Sequence, residues 1–189
     1  MHWLILGLVV FLGVHSLRLL APGWREARIA AMGMGAWKGV VGLVSIAGFV
    51  LLVWGYGQAR LEPVLVWVPP LPLRHASALL TLPAFILLAA VYVPRNHLKA
   101  RLGHPMLLGT KLWALAHLLV NGWLHGIILF AGFLVWAIVG FRAARKREPA
   151  SRRGGTWRGT ALAVVIGTAV WAGFAFYLHR AWIGVAPFG

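Results

Sequence analysis

The run Arg101-Leu-Gly-His-Pro-Met-Leu-Leu-Gly-Thr-Lys-Leu-Trp-Ala-Leu-Ala-His-Leu-Leu-Val-Asn-Gly122 sets how the whole chain is read. Gly103-His104-Pro105 marks a helix start, because proline at the first helical position gives up an N–H that has no intrahelical partner there. Residues 106–120 are apolar apart from Thr110, Lys111 and His117. Asn121-Gly122 is a turn pair. If it turns the chain, 105–120 and 122–141 are two helices; if it does not, 105–141 is one long or broken helix. The choice decides which side of a membrane everything downstream occupies.

Composition supplies the membrane. Of 189 residues, 61% are hydrophobic and 11 are Trp, more apolar surface than one small soluble core can hide. About 20 apolar residues span a bilayer. Six segments approach that length, at approximately 3–20, 38–58, 74–93, 105–120, 122–141 and 160–180. The expected fold is an all-α integral membrane protein: six transmembrane helices, with five as the alternative, in a single domain over 1–189. The opening run 2–20 lacks a basic n-region and a small-x-small cleavage site, so it reads as the first span and not as a signal peptide.

Charge separates six spans from five. The net charge of +15 would suggest nucleic acid on a soluble surface, but here the basic residues sit between hydrophobic runs. Under six spans, one side receives Arg18, Arg25, Arg28, Lys38, Arg95, Lys99, Arg101, Lys111 and the seven basic residues of 142–158; the other receives Arg60, Arg74 and Arg180. The positive-inside rule makes the richer side cytoplasmic and places both termini on the outer, periplasmic side. Five spans would carry the 142–158 block across and spoil the asymmetry. That block, in the longest connection, is expected to be a mobile inner loop that attracts anionic lipid headgroups.

Small residues at Gly35, Gly39, Gly42, Ser45 and Gly48 predict close helix packing along the second segment, and Gly167 and Gly173 predict the same along the sixth. Pro83 is expected to kink the third. Trp113, Trp136 and Trp171 lie at depths that suit packing against other helices.

The absence of cysteine excludes disulfides, thiol catalysis and iron–sulfur clusters. The three acids, Glu26, Glu62 and Glu148, all fall in loops, and aspartate is absent, so neither paired carboxylates nor a Ser–His–Asp triad is available in the membrane. Histidine remains, with eight copies, and imidazole suits haem iron, zinc or copper. His2, His75, His97 and His179 fall at interfaces, where an amphipathic ring is comfortable, and His125 lies just past the turn. His15 and His117 lie within apolar helices, where a polar side chain is a functional candidate or a hydrogen-bond donor to a neighbouring helix. His104 is a candidate that also suits a helix start. On a continuous helix His104 and His117 stand roughly 20 Å and 140° apart, so one iron cannot take both.

Gly13-Val-His15-Ser-Leu-Arg18, His104-Pro-Met-Leu-Leu-Gly109, Leu112-Trp-Ala-Leu-Ala-His117-Leu-Leu-Val-Asn-Gly122 and the ending His179-Arg-Ala-Trp-Ile-Gly184 together resemble the NnrU family of membrane proteins over nearly the whole chain. The resemblance implies a bacterial inner-membrane protein associated with nitrite and nitric oxide reduction in denitrification. The family's plant relative, 15-cis-zeta-carotene isomerase, is a haem b enzyme. Carried over by motif, its iron ligands correspond to His15 and His117, and the His-Pro histidine corresponds to His104. Further histidines expected after Gly122 in the isomerase are not evident, which speaks against isomerase activity. Three functions follow as expectations: a haem b redox or sensing protein, an accessory protein for a nitrite or nitric oxide reductase, and a haem-dependent carotenoid isomerase.

Overall fold

A computed structural model describes residues 1–148, 150 and 154–187. Its helices are α1 (His2–His15), α2 (Leu17–Leu20), α3 (Pro22–Ala59), α4 (Pro72–Tyr92), α5 (His97–Leu102), α6 (Pro105–Val120), α7 (Leu124–Arg147) and α8 (Trp157–Gly173); a π-helical turn, Phe174–Leu178, then leads into α9 (His179–Ile183). Among the described residues extended structure is limited to isolated bridges. Four helical stretches are long and apolar enough to cross a membrane, Pro22–Ala59, Pro72–Tyr92, Leu124–Arg147 and Trp157–Ile183, and α1 and α6 are shorter apolar helices.

Residues 105–141 are not one helix: α6 ends at Val120, Asn121 is extended (φ −111°, ψ 103°), and α7 begins at Leu124. Other boundaries moved. The first segment breaks at Ser16, whose Oγ donates to Leu12 O at 2.7 Å, a local bond that competes with helix continuation. α2 then stops at Ala21, which is held out of the helical region by Pro22. The second helix starts well before residue 38 and is interrupted at Gly33 (φ 82°, ψ 158°), a conformation that favours glycine. Residues 72–92 stay helical through Pro83. Residues 142–147, expected in a loop, continue α7; Arg145, Lys146 and Arg147 in its last turn complement the helix dipole. Arg152 and Arg153, in the same basic block, lie outside the described residues.

The chain divides into two compact units. In the first, Met1–Trp67 with Trp123–Gly132, α1 packs on α3. Leu4, Gly7 and Leu8 of α1 are buried, as are Gly48, Leu52, Gly55 and Ala59 of α3; both sets follow three- and four-residue spacing. The backbones meet at glycine. A Cβ on Gly48 would stand 2.9 Å from Phe11 N, one on Gly7 would run into the Leu52 backbone, and one on Gly55 into that of Leu4. Lipid tails are as apolar as the helices, so such close approach replaces the hydrophobic drive of a soluble core. The expected stripe was only partly correct. Gly35, Gly39 and Gly42 meet open space, and only Gly48 of that stripe's glycines makes the close approach. Gly39 and Gly48 are nine residues apart, roughly 180° around the helix. The start of α7 joins this unit through Leu124 N–H to Val64 O at 2.9 Å.

In the second unit, Val68–Gly122 with Phe133–Gly189, α4 packs against both α6 and α8. Gly109 meets Ala84 O and the Leu88 side chain, and Gly167 meets the Ile86 backbone, whereas Gly173 faces open space. The turn between α4 and α5 is held by Asn96, 1% exposed. Its amide donates to Ala90 O (2.9 Å) and Val93 O (2.6 Å), while its Oδ1 accepts from Lys99 N. Next to it, Thr156 N–H donates to Arg95 O at 2.7 Å and His97 N–H to Thr160 Oγ1 at 2.9 Å, fixing the start of α8. Trp171 Nε1–H donates to Thr81 Oγ1 at 3.1 Å, and Trp113 packs edge-on to Phe133, consistent with their expected packing roles.

Gly55→Leu should force α1 off α3 and destabilise the detergent-solubilised protein by about 1–3 kcal/mol, whereas Gly39→Ala should leave its melting temperature within error. Equal melting temperatures for the two variants would contradict the glycine contact described above.

Candidate functional site

Each histidine is placed by the backbone around it, and the hydrogen bonds assign its tautomer. A ring nitrogen facing a carbonyl must be the protonated one, which leaves the lone pair of the neutral ring on the other nitrogen. His15 ends α1 and is exposed; its Nδ1–H donates to Phe11 O at 2.6 Å, and its ring lies 4.5 Å from that of Phe11. His117, near the end of α6, does the same: Nδ1–H donates to Trp113 O at 2.8 Å, and its ring lies 5.0 Å from Trp113. Both rings therefore carry their lone pair on Nε2. His104 takes the opposite tautomer. It sits at the N-cap of α6, and its Nε2–H donates to Glu148 O at 3.0 Å, tying the helix start to the segment after α7.

α6 runs unbroken from Pro105 to Val120. His104 and His117 thus occupy its two ends, roughly 20 Å apart. His15 belongs to the first unit and His117 to the second.

Two histidines assigned to interfaces or the turn have more structure around them than sequence reasoning gave. His179 follows the π turn, and its ring centroid lies 6.4 Å from that of His117, with ring planes 25° apart. Phe174 packs edge-on to His179 at 6.1 Å. His179 Nδ1–H donates to Val185 O at 2.7 Å, so its lone pair is also on Nε2. That carbonyl is turned back by Gly184, left-handed at φ 76° and ψ 12°, which explains the glycine in His179-Arg-Ala-Trp-Ile-Gly184. The available signal was this motif; its link to His117 was hidden because 62 residues separate them.

His125 is the other. It is 5% exposed, packed against Tyr56 at 5.1 Å and Trp123 at 6.5 Å, and its Nδ1 has no hydrogen-bond partner among the described residues.

Lys111, an exception in an apolar helix, places Nζ 4.0 Å above the Phe141 ring centroid, a cation–π contact that lets a charge sit in a low-dielectric setting. A groove of about 330 Å³ in the first unit is lined by Val9, Val10, Gly13, Val14, Trp24 and Trp37 among other apolar residues, and offers no ligating group. Among the described residues no three of His, Cys, Asp and Glu come together as a metal site.

The sequence matches the family described as NnrU protein over residues 3–187. No curated protein and no solved structure matches significantly.

If His125 is only a packed ring, His125→Phe should leave stability unchanged or raise it by up to about 1 kcal/mol, since a buried nitrogen without a partner is removed. Thermal melts of the two proteins in one detergent check this, and a drop of several degrees would show that Nδ1 has a partner the packing alone does not reveal.

Proposed function

The chain belongs to the NnrU family, and from that premise we propose that it is a multi-pass protein of the bacterial inner membrane that binds haem b through His117 and serves nitrite and nitric oxide reduction. The donor set carries the haem reading. Haem asks the protein for one or two axial ligands, whereas a closed structural zinc site asks for four. An intramembrane imidazole with Nδ1 tied to a carbonyl and Nε2 carrying the lone pair, as at His117, meets the first demand. The backbone bond also fixes the ring and raises its basicity, as carbonyl partners do for metal-ligating histidines.

Bound haem would supply one-electron chemistry. The protein's own part is orientation and exclusion of water. Trp113 flanks the His117 ring and is itself braced by Phe133. The family resemblance adds His15 as a residue that would hold the haem, its Nδ1 tied to a carbonyl in the same way. His104, at the far end of α6, stands outside this centre and holds the helix start.

Six spans with both termini periplasmic suit the 15-to-3 division of basic residues. α1, at 14 residues, covers about 21 Å, so the first crossing is completed by the turn and α2. Arg142, Arg145, Lys146, Arg147 and Arg158 then face the anionic headgroups of the cytoplasmic leaflet. The accessory reading draws on one observation: Gly35, Gly39 and Gly42 offer bare backbone on α3, a surface on which a reductase component could pack.

Protein expressed with ample haem and purified in detergent should show a Soret band, and His117→Ala should retain haem at least ~10-fold more weakly. A wild-type spectrum without that band would sink the haem reading. Alkaline phosphatase fused to either terminus should be active, and fused within residues 94–104 inactive; the reverse pattern would invert the topology. A strain lacking the protein should lose nitrite or nitric oxide reductase activity, and full activity would remove the denitrification link.

A further inference from the structure

In the first unit the close contact of α1 with α3 does not run the length of the pair. Gly48 still meets the Phe11 backbone, but a Cβ on Gly13, two residues further along α1, would touch nothing within 4 Å. From there the two helices line the groove of about 330 Å³. We infer that this groove seats one acyl chain of an anionic phospholipid whose headgroup lies against Arg18, Arg25 and Lys38. The leaflet that supplies the lipid, though not the binding itself, rests on the topology of the proposed function.

The walls select the tail. Val9, Gly13 and Leu17 line the groove from the side of α1, and Trp37, Val41 and Val44 from α3. On α3 this is the face that carries Gly48 and Gly55, since 37, 41, 44, 48 and 55 recur at three-, four- and seven-residue spacing. Every other lining residue is valine or tryptophan. From Val9 to Leu17 the groove runs roughly 12 Å, against about 15 Å for half the hydrocarbon core of a bilayer. That length suits a chain belonging to one leaflet and is too short for a ligand that spans both.

The open end selects the headgroup. Trp24 and Trp37 are 13 residues apart, roughly 20 Å along a straight helix, yet their rings meet edge-on at 5.8 Å. The break at Gly33 (φ 82°, ψ 158°) therefore folds residues 22–32 back and brings both tryptophans to one end of the groove. Tryptophan settles at headgroup level, so this end meets the membrane surface. There the lining residues Leu17, Trp24 and Trp37 are followed directly by Arg18, Arg25 and Lys38, each Cα about 3.8 Å from that of a lining residue. Arg28 lies three residues beyond Arg25, and Glu26 is the one acid in residues 1–61. Four cations against one acid, at the polar end of an apolar slot, complement a negative headgroup carried on its tail.

The test titrates the full chain in detergent with phosphatidylglycerol and with phosphatidylcholine of the same acyl chains, and counts bound lipid by native mass spectrometry. Expected is one phosphatidylglycerol per chain, held at least ~10-fold more tightly than phosphatidylcholine. Gly13→Phe fills the groove from a position where an added Cβ meets no atom within 4 Å, and should remove that lipid. Gly39→Phe adds the same ring roughly 150° around α3 from the lining face, and should keep it. Arg25→Gln combined with Lys38→Gln should abolish most of the preference. Equal binding of the two lipids by wild type, a preference untouched by the double variant, a lipid retained by Gly13→Phe, or its loss from both glycine variants would each overturn the proposal. So would wild type that carries a neutral isoprenoid in place of the phospholipid. If Gly13→Phe does not accumulate, Val44→Trp fills the groove from α3 and is read by the same two outcomes. The count is made in detergent, so it stands or falls independently of the terminal fusions and of the haem spectrum.

Discussion

Backbone-to-backbone contact at glycine is the constraint on which the helix packing depends. Surrounded by lipid, two apolar helices gain little by hiding leucines from each other, so contact has to come from close fit. The first unit achieves it where Gly7 meets Leu52 and where Gly48 and Gly55 meet the α1 backbone. The second uses Gly109 against Ala84 and Gly167 against Ile86, with alanines at 0% exposure (Ala84, Ala90, Ala114, Ala163) filling the rest of the seams. Large side chains are displaced outward: Leu43, Ile46, Leu79 and Val165 are all more than half exposed. That pattern would be untenable in water and is expected in a bilayer.

The same solvent governs the polar groups. With no water to satisfy them, side chains turn back onto their own helices: Ser16 onto Leu12 O, Ser45 onto Val41 O, Thr110 onto Met106 O. His15 and His117 follow this rule through Nδ1. For a hydroxyl the bond ends the matter. An imidazole has a second nitrogen, and satisfying the first through a carbonyl leaves a lone pair on the second. Backbone chemistry in lipid thus settles one nitrogen of an intramembrane histidine and leaves the other to a group beyond its own helical turn. Where four or more groups must be satisfied at once, the chain builds a polar knot outside the long helices, as Asn96 and Thr156 do beside Arg95.

What the sequence revealed followed from local chemistry. Gly103-His104-Pro105 and Asn121-Gly122 placed both ends of α6, because proline and the turn pair act on their own residues. The glycine stripe misled because spacing of three was read as one face, while each such step falls about 60° short of a full turn. Gly55 and Gly7 escaped notice since their partners lie on another helix. The break at Ser16 escaped because an apolar flank on both sides hid a competing side-chain bond. His15, His104 and His117 stood out as polar residues within or at the ends of apolar helices, but His179 did not: a histidine near the end of a span is unremarkable until the fold brings α9 to α6.

This last failure bears on how the site is to be understood. His117 was singled out for its depth in an apolar helix, a property of one segment. Depth makes a polar side chain expensive, and an expense is offset only by a partner. The partner has to come from whichever element the helix packing brings alongside, at a distance its chemistry can use. In the second unit that element is the C-terminal turn, where α8 is re-phased by one residue and the chain reverses at Gly184. A hydrogen-bonding partner would have been served by any polar residue on a regular helix. The extra turn and the reversal bring a second imidazole alongside instead, its ring centroid 6.4 Å from that of His117. The surroundings of His117 are therefore set by the C-terminal element of its own unit as much as by its depth in α6.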